Sequence, residues 1–106
     1  MAKNTFWLVG IGGVGKTTLA VALAGYHSSR PGIVCALRTE FGMVSRFDAS
    51  TGDFAEAHDE ALLDGADFLF IEVQPRDFKQ SMTRPADHVI RIDRMPVAAP
   101  QEVAHG

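Results

Sequence analysis

Gly10-Ile11-Gly12-Gly13-Val14-Gly15-Lys16-Thr17 fills every fixed position of the pattern G-x-x-x-x-G-K-[ST]. The chemistry open to such a run is the capture of a chain of phosphates. Glycines let the backbone bring its N–H groups close to phosphate oxygens. The candidate ligand-binding residues are therefore Gly10, Gly12, Gly13, Val14, Gly15, Lys16, Thr17 and Thr18. Lys16 supplies a point charge to the β and γ phosphates, and the Thr17 hydroxyl is a ligand for Mg²⁺. A helix beginning here adds the positive end of its dipole.

A phosphate loop also needs a metal-side carboxylate at the end of a buried strand. Phe68-Leu69-Phe70-Ile71-Glu72 has that form, four apolar residues and then an acid, so Glu72 is the second candidate for catalysis and for metal. The alternative for Glu72 is a solvent-facing acid at a strand end, and for residues 10–17 a plain glycine-rich turn.

The elements that must position these groups alternate between strand and helix. Residues 5–10 read as a strand running into the glycines, and 16–27 as an apolar helix. Pro31 and Gly32 stop that helix. Residues 33–37 are a second buried strand, and 39–51 an irregular, glycine-containing stretch. Phe54, Ala57, Ala61 and Leu62 share one face of a helix predicted over 54–63, with Gly65 ending it. Residues 67–73 are the third strand, a short helix starts after Pro75, and 87–93 form the fourth strand. The pattern predicts a three-layer α/β domain with a mostly parallel sheet of about four strands. Ligand sites of such sheets lie at the carboxyl ends of the strands, where Gly10–Thr17 and Glu72 both fall.

The 106 residues suffice for one domain, assigned to 1–95, with a Pro- and Ala-rich tail over 96–106. A chain of this size buries roughly 60–65% of its unfolded surface, so a ligand or partner would add needed stability. With a formal net charge of −3, nucleic acid and anionic membrane are not favoured partners. No apolar run reaches membrane-spanning length, and Lys16 with its glycines interrupts the N-terminal run too early for a secretory signal. The single Cys35 excludes an internal disulfide, fits a reducing cytoplasm and sits in an apolar strand as a buried thiol. His27, His58, His88 and His105 lack metal-ligand spacing. Trp7 is assigned to the core. Arg76, Lys79, Arg84, Arg91 and Arg94 form a scattered basic half whose alternative use is the arginine lid of a small kinase.

Gly12-Gly13-Val14-Gly15-Lys16-Thr17-Thr18-Leu19-Ala20 resembles the corresponding run of the ParA/MinD partition-type ATPases. Asp67–Pro75 is similar to that family's Walker B segment, and Ala86-Asp87-His88-Val89-Ile90 to the opening of its next strand. The resemblance covers residues 4–24 and 66–96 and implies a P-loop NTPase domain, its four strands in the spatial order second-third-first-fourth, that binds ATP (or GTP) and Mg²⁺ and works as a homodimer or with a protein partner. Two positions depart from the family. Its signature lysine after the first glycine is Ile11 here, and the Asp-x-Asp-Pro segment after its second strand is replaced by Leu37-Arg38-Thr39-Glu40-Phe41-Gly42. Glu40 is the nearest carboxylate able to substitute there, with Asp48 or Asp53 swinging in as alternatives. A MobB-type GTP-binding protein is a second resemblance of similar layout. The expected activity is slow ATP–Mg hydrolysis driving a binding switch, with residues 39–53 as the element that responds to the γ-phosphate. A nucleotide- or phosphate-binding module with little turnover, acting through a protein partner, is the alternative, and a small kinase a further one.

Overall fold

Apolar strands with two-residue periodicity dominate the computed structural model, which describes residues 2–77 and 84–93. The strands are β1 (Asn4–Val9), β2 (Cys35–Arg38), β3 (Val44–Asp48), β4 (Asp53–Glu56), β5 (Phe68–Val73) and β6 (His88–Arg91). They form one mixed sheet in the order β4-β3-β2-β5-β1-β6. Strands β2, β5, β1 and β6 are parallel, while β3 pairs antiparallel with both β2 and β4. β5 is central and buried along nearly its whole length.

Alternation sorts the core onto two faces. Leu8, Phe70, Cys35 and Leu37 face α1 (Lys16–His27), which answers with the fully buried Ala20 and Ala24. These small side chains let the helix lie close to the sheet. Trp7, Val9, Leu69, Ile71 and Val73 point the other way, toward Leu63 of α2 (Ala61–Gly65) and Ala66. The Trp7 indole lies in the core and donates to the carbonyl of Arg84 at 2.9 Å.

The expected three-layer, mostly parallel P-loop domain of about four strands is not what the chain forms. Six strands are present among the described residues, one edge is antiparallel, and the face opposite α1 carries only the five-residue α2. The spatial order of the four anticipated strands is the observed one, but β3 and β4 extend the sheet beyond β2. Residues 44–48, expected irregular, pair as a hairpin with 53–56, of which 54–56 were expected helical. Its turn is held at Asp48, whose carboxylate accepts from the Ser50 amide at 2.9 Å and whose carbonyl accepts from the Gly52 amide at 2.8 Å. Phe54 packs edge-on against Phe47 across the pair, ring centroids 5.3 Å apart. A cross-strand aromatic contact therefore covers Phe54 where a helical face was expected to. Pro75–Asp77 makes a single 3₁₀ turn. The rest of the helix expected after Pro75, and the tail over 96–106, lie outside the described residues.

Asp67 ties the entry of β5 to two other segments. Its carboxylate accepts from the Val34 amide at 2.8 Å and pairs with Lys3 at 3.2 Å. The Val34 N–H first, then Lys3, hold this carboxyl below its usual value of 3.8. The unfolded chain therefore takes up this proton at higher pH than the folded one. The associated stability is complete above the ordinary value and disappears as pH falls through the folded-state value. Asp67→Asn is expected to flatten that part of the acid-side decline when thermal melting is followed from neutral pH downward.

Candidate phosphate-binding cleft

The carboxyl end of β1 runs directly into the glycine loop. The Gly10 amide donates to the Val73 carbonyl at 3.0 Å, prolonging the β1–β5 pairing by one residue. A Cβ on Gly10 would stand 2.7 Å from the Ile92 carbonyl oxygen and 2.7 Å from Val14 Cγ2, so only glycine fits without displacement. Gly15 caps α1 in a left-handed conformation, φ 99°. It offers no side-chain cap to the helix. Among the described residues, the amides from Gly15 to Thr18 donate to no backbone or side-chain acceptor. They remain for an external acceptor, as the first amides of a helix do.

Lys16 is 4% exposed, unusual for a charged residue. Its ammonium folds back over the loop and donates to the carbonyls of Gly10 and of Ile11, the latter at 2.9 Å. It also pairs with Glu40 Oε1 at 2.9 Å. The other Glu40 oxygen accepts from Gln74 Nε2 at 2.7 Å. The Lys16 hydrogen bond holds the Glu40 carboxyl below its usual range against the opposing effect of burial, and Gln74 and the charge of Arg76 add to it. Thr17 Oγ1 donates to Glu72 Oε2, and Glu72 Oε1 accepts from the Glu40 amide at 3.3 Å. Glu72 is itself buried, 7% exposed. Lys16, Glu40, Gln74, Thr17 and Glu72 thus form one continuous network. It borders a cleft of about 390 Å³ lined by Gly13, Gly15, Lys16, Thr17, Thr18, Glu40, Phe41 and Glu72.

The candidate residues Lys16, Thr17, Glu72 and Glu40 are brought together, and Val14 is buried behind the loop. Gly12 lies beside Glu40, where an added Cβ would meet only Glu40 Oε2, at 3.9 Å. Asp48 and Asp53 are not brought in: β3 runs away from the cleft, and both stand at the far turn of the hairpin. Residues 39–53 are accordingly a tight turn, the strand β3 and a hairpin turn, where a loose switch was expected. Arg84 is paired with Asp64 at 2.6 Å. Lys79, Arg94 and His105 lie outside the described residues.

The histidines sit elsewhere. His27 stacks on Phe68 and His88 on Phe6, ring centroids 4.0 and 4.7 Å apart, toward the opposite end of the sheet. No group of three or more His, Cys, Asp or Glu residues could hold a metal ion among the described residues. Cys35 is buried as expected, and burial pushes its thiol up.

Two contributors escaped the sequence reading. Gln74 follows Glu72 by two positions along the chain, so period-two geometry was a usable signal that both leave the sheet on one side. Phe41, 85% exposed on the cleft wall, carries no comparable signal.

The donors around Thr17 are a hydroxyl and carboxylates, hard oxygen ligands of the kind Mg²⁺ takes. Thr17 and Glu72, already in contact, fit that ion. No helix among the described residues is long and apolar enough to cross a membrane. No protein-family model matches the chain, and no curated protein or solved structure matches it.

Proposed function

We propose that the chain binds a nucleoside triphosphate, ATP or GTP, by its phosphates together with Mg²⁺, and hydrolyses it slowly as a binding switch. The observation that carries this reading is the convergence of Lys16, Thr17 and Glu72 on one cleft beside helix-start amides that have no acceptor among the described residues. Lys16 would set its charge against the terminal phosphates, and the loop amides would hold the phosphate oxygens. Thr17 and Glu72 would hold Mg²⁺, which when bound neutralises phosphate charge. Glu40, beside Lys16, is the carboxylate available to orient a water. The likeness of residues 12–20 to ParA/MinD-type ATPases supports the same ligand class, and the free Cys35 thiol is compatible with the cytoplasm. Ile11 and Phe41, 60% and 85% exposed near the loop, support a protein partner or a second copy at this end of the molecule.

A second reading, a binding module with little turnover, is favoured by one observation. Besides Glu72, the cleft offers only Glu40 as a carboxylate among the described residues, and Lys16 already engages it. The kinase reading gains nothing from Arg84, which is committed to Asp64. Calorimetry with ATP–Mg²⁺ and GTP–Mg²⁺, joined to a phosphate-release assay, tests the proposal. Binding with slow release of phosphate is expected. Binding without release selects the second reading, and no binding of either nucleotide overturns both.

A further inference from the structure

The Lys16 ammonium has three protons to donate. Two go to backbone carbonyls of its own loop, at Gly10 and Ile11, and the third meets Glu40. A phosphate oxygen therefore reaches Lys16 most directly by taking the place of the Glu40 carboxylate. That carboxylate is not a loose surface group: its side chain is 11% exposed, and Gln74 grips its second oxygen.

Displacement alone leaves a poor arrangement. The cleft lining sets one ammonium against the two carboxylates of Glu40 and Glu72. A bare polyphosphate would take Lys16 and leave Glu40 beside Glu72, with the charge of Arg76 alone, among the described residues, set against two carboxylates and the phosphates. A polyphosphate that brings its own divalent cation removes the conflict, because the freed carboxylate then faces positive charge.

Resting on the nucleotide reading above, we propose that Glu40 determines the ligand class: it is a built-in counter-ion for Lys16 that admits a metal–polyphosphate complex and rejects the metal-free anion. Glu40 exchanges Lys16 for the cation as the phosphate exchanges solvent for Lys16. Anion and cation binding are thereby coupled through one side chain. Its role is selection, exerted through its charge.

The experiment is calorimetric titration of the full chain with ATP, once with excess Mg²⁺ and once with a chelator. Wild type is expected to bind ATP–Mg²⁺ and to bind metal-free ATP at least about tenfold more weakly. Glu40→Gln keeps a hydrogen-bonding side chain of the same shape and removes the charge. It is expected to bind metal-free ATP about tenfold more tightly than wild type, which narrows the Mg²⁺ dependence to the part that Thr17 and Glu72 supply. Glu40→Ala should behave alike, and melting curves of both variants establish that they are folded. If wild type binds ATP–Mg²⁺ but neither variant gains affinity for metal-free ATP, the counter-ion role is overturned and the nucleotide reading stands. If wild type binds no ATP under either condition, the nucleotide reading fails and this inference fails with it.

Discussion

Lys16→Ala is expected to weaken ATP–Mg²⁺ binding by about 100-fold, because it deletes the one ammonium lining the cleft and a charge-assisted hydrogen bond to phosphate. The same substitution should reduce phosphate release to background, since no other positive side chain among the described residues lines the cleft. Loss of function by unfolding is a separate matter that melting resolves. Glu40 loses its ion pair in this variant, but it borders an open cleft, can rehydrate and keeps Gln74. Lys16 and Glu40 are nevertheless 4% and 11% exposed, a largely buried pair, so the variant is expected to melt measurably below wild type. Titration of a folded Lys16→Ala protein with an affinity near wild type would show that the phosphate chain does not use this residue.

Gly10→Ala is expected to have the largest effect on stability. Its new methyl group would meet the Ile92 carbonyl oxygen and Val14 Cγ2, both at 2.7 Å. Ile92 is anchored in turn, its amide donating to the Val9 carbonyl at 2.8 Å. The clash therefore falls on the β1–β6 junction, with no flexible side-chain end to absorb the backbone half of it. Overpacking of this kind costs about 1–3 kcal/mol, a fall in melting temperature of roughly 5–20 °C for a domain of this size. Gly12→Ala is the matched control. Its methyl group would make only an ordinary contact with Glu40, and melting within a few degrees of wild type is expected. Equal melting temperatures for the two variants would mean that the loop does not pack against the end of β6 as described.

The loop and the acid of β5 were legible because each signal is local. Residues 10–17 are contiguous, and Glu72 closes an uninterrupted apolar run. The parallel strands were legible for the same reason, as short apolar stretches between turn residues. The β3–β4 hairpin was not, because Phe54, Ala57, Ala61 and Leu62 satisfy a helical period as well as a strand followed by a turn. What decides between them is Phe47, seven residues earlier, which supplies Phe54 with a cross-strand partner. A window read by itself carries no such information. The thin second face has the same origin: with residues 53–56 drawn into the sheet, Ala61–Gly65 is the one α-helix that covers it among the described residues. The Lys16–Glu40 pair was hidden for a different reason. Residues 24 positions apart meet only because the parallel order of β1, β5 and β2 brings the ends of these strands together.

Thr39 anchors the short turn that carries Glu40. Its amide donates to the Met43 carbonyl at 2.9 Å, its carbonyl accepts from the Gly42 amide at 2.9 Å, and its hydroxyl accepts from the Met43 amide at 3.0 Å. With the main chain pinned on both sides of Glu40, release of Lys16 is a matter of side-chain rotation about a few bonds. Glu40 is 11% exposed and held by Gln74, so this rotation is slower than the flips of exposed side chains but needs no hinge or lid motion. If the proposed ligand binds, its uptake then needs no backbone closure step, and a single-exponential time course is the expected result of stopped-flow mixing.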